Sequence, residues 1–213
     1  IGDGSAAYLL GFGGDDFVDG RGGNETLDGG AGNDTLMGGG LHAGTDEFRV
    51  TSGTDTVVDL QGDDVLKVAP GAEALVRLGG NWTATADSVL LGKVSIDLNG
   101  KTLDLSQATF VKDSVTSGGV ALTNANENSV AMIGTPYADT LAGDPAGVSD
   151  TLTGGGGNDL FLPAGGTDEI TDLSQGDRVV VAAGVSVKAT LAEDWMPAVG
   201  DASNAGSFEL DAN

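Results

Sequence analysis

Single apolar residues recur every nine positions along the first part of the chain, and polar and glycine-rich segments separate them. The phase shifts once, by an insertion of three residues within 40–43, and then resumes. This spacing fits neither a helix face nor a long alternating strand. It predicts very short strands joined by tight turns, each strand directing one side chain inward. These side chains are Leu9, Val18, Leu27, Leu36, Phe48, Val57 and Leu66.

An acidic residue stands two positions before most of these apolar residues, and glycines precede the acid. The sequence Gly-Gly-Ala-Gly-Asn-Asp-Thr-Leu-Met at 29–37 fits the pattern G-G-x-G-x-D-x-U-x, where U is a large apolar residue, at every specified position. This repeat is a signature of a parallel β-helix that binds Ca²⁺. Glycine suits the turn because it adopts positive φ without steric cost.

Two such repeats make one coil, so residues eighteen positions apart stack on the same side as parallel strands about 4.8 Å apart. Asp16 is then stacked on Asp34, and the carboxylates lie beside the carbonyl oxygens of the glycine turns. Ca²⁺ accepts six to eight oxygen ligands at roughly 2.3–2.6 Å, whereas Mg²⁺ demands a tighter octahedron. The pattern therefore predicts calcium between stacked loops, with several ions per chain.

A second array with the same phase covers 134–181, interrupted by a two-residue insertion near Pro145. Its best motif is Gly-Gly-Gly-Gly-Asn-Asp-Leu-Phe at 154–161. Both arrays end in a similar D-x-x-x-D-L…G-D segment. The acid and apolar pairs of this array are Asp139 with Leu141, Asp150 with Leu152, Asp159 with Phe161, Asp168 with Ile170, and Asp177 with Val179.

Both arrays resemble the repeats-in-toxin (RTX) family of exported bacterial β-roll proteins. The resemblance implies an all-β fold of parallel β-rolls, type I secretion, and a location outside the cell or on its surface. The predicted calcium ligands are the acids and turn glycines of the repeats. They are Gly11, Gly14, Asp16, Gly23, Glu25, Gly29, Gly30, Gly32, Asp34, Asp46, Asp55, Asp64, Asp139, Asp150, Gly154, Gly155, Gly157, Asp159, Asp168 and Asp177.

The two arrays indicate four segments: a first roll at 1–68, a β-rich insert at 69–133, a second roll at 134–182 and a C-terminal cap or linker at 183–213. Asn99-Gly100 between alternating runs predicts a β-hairpin that pairs Ile96 with Leu103. A small β-sandwich and an irregular continuation of the solenoid both fit the insert, and a β-insert packed between the rolls is the preferred interpretation. Trp195 is the expected cap of the second roll.

The chain has 32 acidic and 9 basic residues, a formal net charge of −23, 37 glycines and no cysteine. Self-repulsion opposes the compact state, and bound divalent cations would relieve it. Nucleic-acid binding is excluded because it needs clustered Lys and Arg. The absence of cysteine excludes disulfides, and no apolar run is long enough to span a membrane.

No catalytic motif is recognisable, and the only histidine, His42, lies in the first insertion, where a solvated loop residue is expected. The favoured function is therefore a non-enzymatic calcium-binding structural module that self-associates into an oligomer or lattice, as in RTX adhesins and surface-layer proteins. Two alternatives stay open. One is the accessory calcium-binding tail of an exported enzyme. The other is a carbohydrate-binding module that holds a cell-surface glycan on Trp82, although a structural tryptophan is the more ordinary interpretation.

Overall fold

The structure is a computed structural model that describes residues 6–39, 44–110 and 119–192 and the backbone of 207–211. Its regular elements are all strands, and nearly all are short. The chain divides into two compact units. The first comprises Ile1–Asp97 and Gln107–Ser117, and the second comprises Leu98–Ser106 and Gly118–Asn213. Within the described ranges, no helix is long and apolar enough to cross a membrane.

The described residues of the first unit form ten strands in two parallel sheets, and consecutive strands alternate between the sheets. One sheet has the order β1-β3-β5-β7-β9 and the other the order β2-β4-β6-β8-β10. Two strands therefore make one coil of a β-solenoid, as the nonapeptide phase predicts. The strands are β1 (Tyr8–Leu10), β2 (Phe17–Asp19), β3 (Thr26–Asp28), β4 (Thr35–Met37), β5 (Glu47–Val50), β6 (Thr54–Gly62), β7 (Val65–Val68), β8 (Glu73–Thr83), β9 (Val89–Leu90) and β10 (Lys93–Asp97).

The apolar residue of each repeat forms the core of this unit. Leu27 is paired with Leu9 on one side and with Phe48 on the other, and Leu36 is paired in the same way with Val18 and Val57. The spacing within these pairs is eighteen residues before the insertion at 40–43 and twenty-one residues across it. Leu27, Leu36, Phe48 and Val57 are completely buried, so one side chain per nonapeptide fills the thin interior.

The second unit has the same construction. One set of parallel strands has the order β12-β14-β16-β18, and the other has the order β11-β13-β15-β17-β19-β20. Leu141, Leu152, Phe161 and Ile170 are completely buried. The strands are β11 (Leu103–Asp104), β12 (Ala121–Thr123), β13 (Ala131–Ile133), β14 (Thr140–Ala142), β15 (Thr151–Thr153), β16 (Leu160–Leu162), β17 (Thr167–Leu173), β18 (Arg178–Val179), β19 (Ser186–Leu191) and β20 (Ser207–Asp211).

The predicted hairpin around Asn99-Gly100 is wrong. Asn99 and Gly100 do adopt the positive φ values expected of the turn, 51° and 72°. However, β10 pairs in parallel with β8, and β11 pairs in parallel with β13. The 69–133 region is rich in strands as predicted, but these strands extend parallel sheets, as in the irregular continuation of a solenoid rather than in a β-sandwich. The division of the chain into four segments stays a prediction.

Candidate metal centre

The acidic residues of alternate repeats form two columns in the first unit. The first column consists of Asp16, Asp34 and Asp55. The backbone N–H of Asp16 donates to Asp34 Oδ1 at 2.8 Å, and the N–H of Asp34 donates to Asp55 Oδ1 at 3.0 Å. Asp34 and Asp55 therefore each use one carboxylate oxygen to hold the preceding coil.

The second column consists of Glu25, Asp46 and Asp64 and has the same links. The N–H of Glu25 donates to Asp46 Oδ1 at 2.8 Å, and the N–H of Asp46 donates to Asp64 Oδ1 at 2.9 Å. Asp64 closes the column, because its Oδ2 accepts the N–H of Gln61 at 2.9 Å. Acids at the sixth position of the repeat, which are eighteen or twenty-one residues apart in the sequence, thus lie next to each other in the fold.

The second unit contains two further columns. The third column is Asp139, Asp159 and Asp177, linked by N–H donation from each residue to Oδ1 of the next at 2.8 Å. The fourth column is Asp150 and Asp168, linked in the same way at 2.9 Å. Each acid predicted from the sequence therefore belongs to one of the four columns. The fold distributes these acids over several sites and does not gather them in one.

The first column leaves three buried carboxylate oxygens without a hydrogen-bond partner, Oδ2 of Asp16, Asp34 and Asp55. Asp34 is 1% exposed and Asp55 is completely buried. A buried acceptor without a donor costs about 1–3 kcal/mol, and more when the group is charged. Hard oxygen ligands of this kind fit Ca²⁺. Within the described ranges, no three His, Asp or Glu side chains converge on one metal position, so turn carbonyls or water would complete the ligand set.

The turn glycines make room for these carboxylates. A Cβ atom at Gly29 would collide with Oδ2 of Asp34 in the same turn, and a Cβ at Gly11 would lie 2.7 Å from Oδ2 of Asp16. Gly154 stands in the same relation to Asp159. The remaining predicted glycines shape the turn itself through positive φ, and they are Gly14, Gly23, Gly30, Gly32, Gly155 and Gly157.

Three aspartates near the columns were not among the predicted site residues. Asp59 accepts the N–H groups of Gly38 and Gly39 at 2.9 and 2.7 Å, and Asp172 accepts two consecutive glycine N–H groups in the second unit in the same way. The shared D-x-x-x-D-L spacing was the signal for this pair. Asp144, in an irregular loop, has a buried Oδ2 without a hydrogen-bond partner, and no sequence signal marks it.

Burial raises the pKa of column aspartates in the metal-free protein. The pKa rises to about 6 for Asp55, Asp139 and Asp168, and to about 7 for Asp64 and Asp159. In each case the chief cause is removal of the carboxylate from water. Neighbouring carboxylates act in the same direction, as Asp34 does on Asp55. A bound cation would reverse this preference for the neutral form.

A pH dependence follows for the calcium-free protein. These aspartates bind protons more tightly in the folded chain than in the unfolded chain, where the pKa is 3.8. Their stabilising contribution is complete below that value and is lost as the pH rises through the folded pKa values.

In EGTA, we therefore expect the melting temperature to fall between pH values of about 5 and about 7. Circular dichroism melts measure this, and a constant or rising melting temperature would contradict it. Millimolar calcium should weaken the decline, because ligand carboxylates bind the ion deprotonated.

The side chain of Trp82 is buried and cannot stack on a sugar ring. Its side chain is 1% exposed, and its indole N–H donates to the carbonyl oxygen of Asp64 at 2.9 Å. A ring that stacks on a glycan must expose one face, so the suggestion that Trp82 binds sugar is wrong and the structural interpretation holds. His42 and Trp195 lie outside the described residues.

Comparison with known proteins gives one match. The model of the RTX calcium-binding nonapeptide repeat matches in four copies, over residues 9–40, 43–81 and 149–170. These ranges contain the first, second and fourth columns completely, and Asp159 of the third column. No curated protein and no solved structure gives a significant match.

Proposed function

Because the chain carries RTX calcium-binding nonapeptide repeats, we propose that it is a non-enzymatic structural module of a secreted or cell-surface protein that folds on binding extracellular calcium. The observation that carries this proposal is the first column, in which Asp16, Asp34 and Asp55 each bury an oxygen that has no donor. The net charge of −23 supports it, because carboxylates packed in columns repel one another unless cations are bound.

The proposed ligands are the column acids with the turn glycines named above. Asp16, Asp34 and Asp55 would contribute Oδ2, and the glycines would hold the turns open. When bound, calcium would supply the positive charge that the buried carboxylates lack. Extracellular calcium modules bind with dissociation constants of roughly 10⁻⁴–10⁻³ M. The chain would then remain loose at low calcium and fold outside the cell, since a ligand that binds only the folded state stabilises it by mass action.

The two edges of the first unit should contribute unequally. In the second column, Ala7 occupies the first acidic position and Glu25 replaces Asp, while Arg21 replaces a turn glycine and has a φ of 69°. We expect Asp34→Ala to raise the calcium midpoint for folding about tenfold, because even outer-shell partners of a metal site contribute 10- to 100-fold in affinity. Glu25→Ala should raise it less.

Calcium titrations followed by circular dichroism measure both midpoints. Asp63→Ala removes the same charge from an exposed position beside the second column and should leave the midpoint unchanged. Equal midpoints for Asp34→Ala and Glu25→Ala would refute the assignment of the stronger site to the first column.

Self-association is the proposed role of the folded module. Tyr8, Phe12 and Phe17 are 55%, 75% and 59% exposed, and they lie on or beside β1 and β2, the outermost described strands of their sheets. Exposed strand edges invite pairing with another chain. An exposed apolar cluster at the same end adds a driving force for association. A second copy of the chain fits such an end, and folding in calcium would create it.

Sedimentation velocity in calcium tests this role. We expect the mass to increase with protein concentration in millimolar calcium, and a Phe12→Ser/Phe17→Ser variant to remain monomeric with an unchanged circular dichroism spectrum. Leu75→Ser, at a 40% exposed position on β8 away from that end, is the matched control and should associate normally. A wild-type chain that stayed monomeric throughout would favour the alternative, an accessory tail of an exported enzyme.

A further inference from the structure

The carboxylates of the four columns differ in how many hydrogen-bond donors they have. From this difference we infer that the first unit needs calcium to fold and that the second unit does not. The inference rests on the proposed calcium-binding function and narrows it to particular loops. The second unit would fold by itself, and calcium would then order the first unit in a separate step.

The first column needs a partner from outside the protein. Oδ1 of Asp34 accepts the N–H of Asp16, but Oδ2 is buried and has no donor. The N–H that could reach it from its own turn belongs to Gly30, four residues earlier, and this N–H donates instead to Asp28 Oδ1 at 3.1 Å. The turn therefore leaves the second oxygen of Asp34 to another ligand.

In the second unit, the loops supply that donor to four of the five column acids. The N–H of Thr135, four residues before Asp139, donates to Asp139 Oδ2 at 2.5 Å, and the N–H of Ala164, four residues before Asp168, donates to Asp168 Oδ2 at 2.9 Å. The loops before two further column acids do the same, so that Asp150 Oδ2 accepts the N–H of Asp144 at 2.9 Å and Asp177 Oδ2 accepts the N–H of Ser174 at 2.8 Å.

Each of these four carboxylates also accepts a backbone N–H from the neighbouring coil on Oδ1. The donors are Val120 for Asp139, Val130 for Asp150, Asp150 for Asp168 and Asp159 for Asp177. Backbone N–H groups on both oxygens favour the charged form of a carboxylate and partly offset the effect of burial, so they reduce its need for a cation. Among the described residues of this unit, Asp144 Oδ2 is the buried side-chain oxygen without a donor. This oxygen does not belong to a column, whereas the first column contains three buried oxygens without a donor.

Hydrogen exchange followed by mass spectrometry separates the two units in the intact chain. At neutral pH in excess EGTA, we expect peptides from β2 to β6 to exchange at least about tenfold faster than in millimolar calcium, because exchange reports the local opening equilibrium. Peptides from β14 to β17 should keep their protection. If both regions lost protection together in EGTA, the inference would be overturned while calcium-dependent folding stood. If neither region changed, the proposed function itself would fail.

A pair of conservative variants gives a second test. Asp34→Asn keeps an oxygen for the N–H of Asp16 but removes the charged Oδ2, so it should raise the calcium midpoint of the first unit about tenfold and leave the second unit unchanged. In Asp168→Asn, an amide NH₂ replaces the carboxylate oxygen that accepts the N–H of Ala164, so that two donors face each other. This variant should therefore speed exchange in the second unit by the same factor with and without calcium. An effect of Asp168→Asn that added calcium abolished would overturn the inference.

Discussion

Substitution of Gly53 by alanine should destabilise the first unit strongly, whereas the same change at Gly71 should be mild. Both residues are exposed, and both have positive φ, 75° and 81°. An alanine at either position therefore adopts the unfavourable left-handed conformation, at about 1–2 kcal/mol. The two positions differ in their surroundings. A Cβ at Gly53 would collide with the carbonyl oxygen of Gly32 in the preceding coil, whereas nothing lies within 4 Å of a Cβ at Gly71.

The collision adds roughly 1–3 kcal/mol of overpacking to the backbone term, so Gly53→Ala should cost about 2–5 kcal/mol in all. Thermal unfolding in millimolar calcium, followed by circular dichroism, measures the difference between the two variants. Equal losses would mean that the coils separate easily at this turn, which would contradict the close stacking of the repeats.

The nonapeptide phase was sufficient to predict the stacked coils. With one large apolar residue per repeat, the register is fixed wherever the spacing holds, and Leu36 therefore lies on Val18 in the next coil. The three-residue insertion shifts the spacing without changing the partner, and Val57 lies on Leu36. The columns follow from the same arithmetic, because the acid, in each repeat that has one, is two residues before the apolar side chain.

The region without this phase could not be predicted in the same way. Local chemistry identified the turn at Asn99-Gly100, since Asn and Gly tolerate positive φ. Local chemistry does not specify which strands pair, and Leu98 donates its N–H to Thr123, twenty-five residues away, rather than to a hairpin partner. Pairing between distant coils decided the structure here.

Periodicity also could not show which carboxylates are already satisfied. It places Asp34 and Asp139 at equivalent positions, yet the N–H four residues earlier donates to Asp28 in one turn and to the column aspartate in the other. That choice depends on the φ and ψ angles of individual turn residues. It is visible only in the folded structure, and it determines where a cation is needed.

Removal of calcium should have the largest effect of any change of solution. A site that binds calcium only in the folded chain contributes about 2.7 kcal/mol when the ion is at 100 times its dissociation constant. Each unpaired buried carboxylate oxygen of the first column adds a penalty of about 1–3 kcal/mol when no ion is bound. Few domains have enough stability to absorb several such losses, because typical values are about 5–15 kcal/mol.

Magnesium is the matched control, because it has the same charge but demands a smaller, more regular octahedron of ligands. If simple charge screening stabilised the fold, magnesium at the same concentration should restore the protein after EGTA treatment. If the ligand geometry of the stacked turns matters, magnesium should restore much less of the structure than calcium.

Far-ultraviolet circular dichroism of the intact chain, with thermal melts in excess EGTA and in millimolar calcium, tests the central claim most directly. We expect the calcium-free chain to show less β-structure and a lower melting temperature, and added calcium to restore both. The same spectrum and the same melting temperature in the two solutions would contradict calcium-dependent folding.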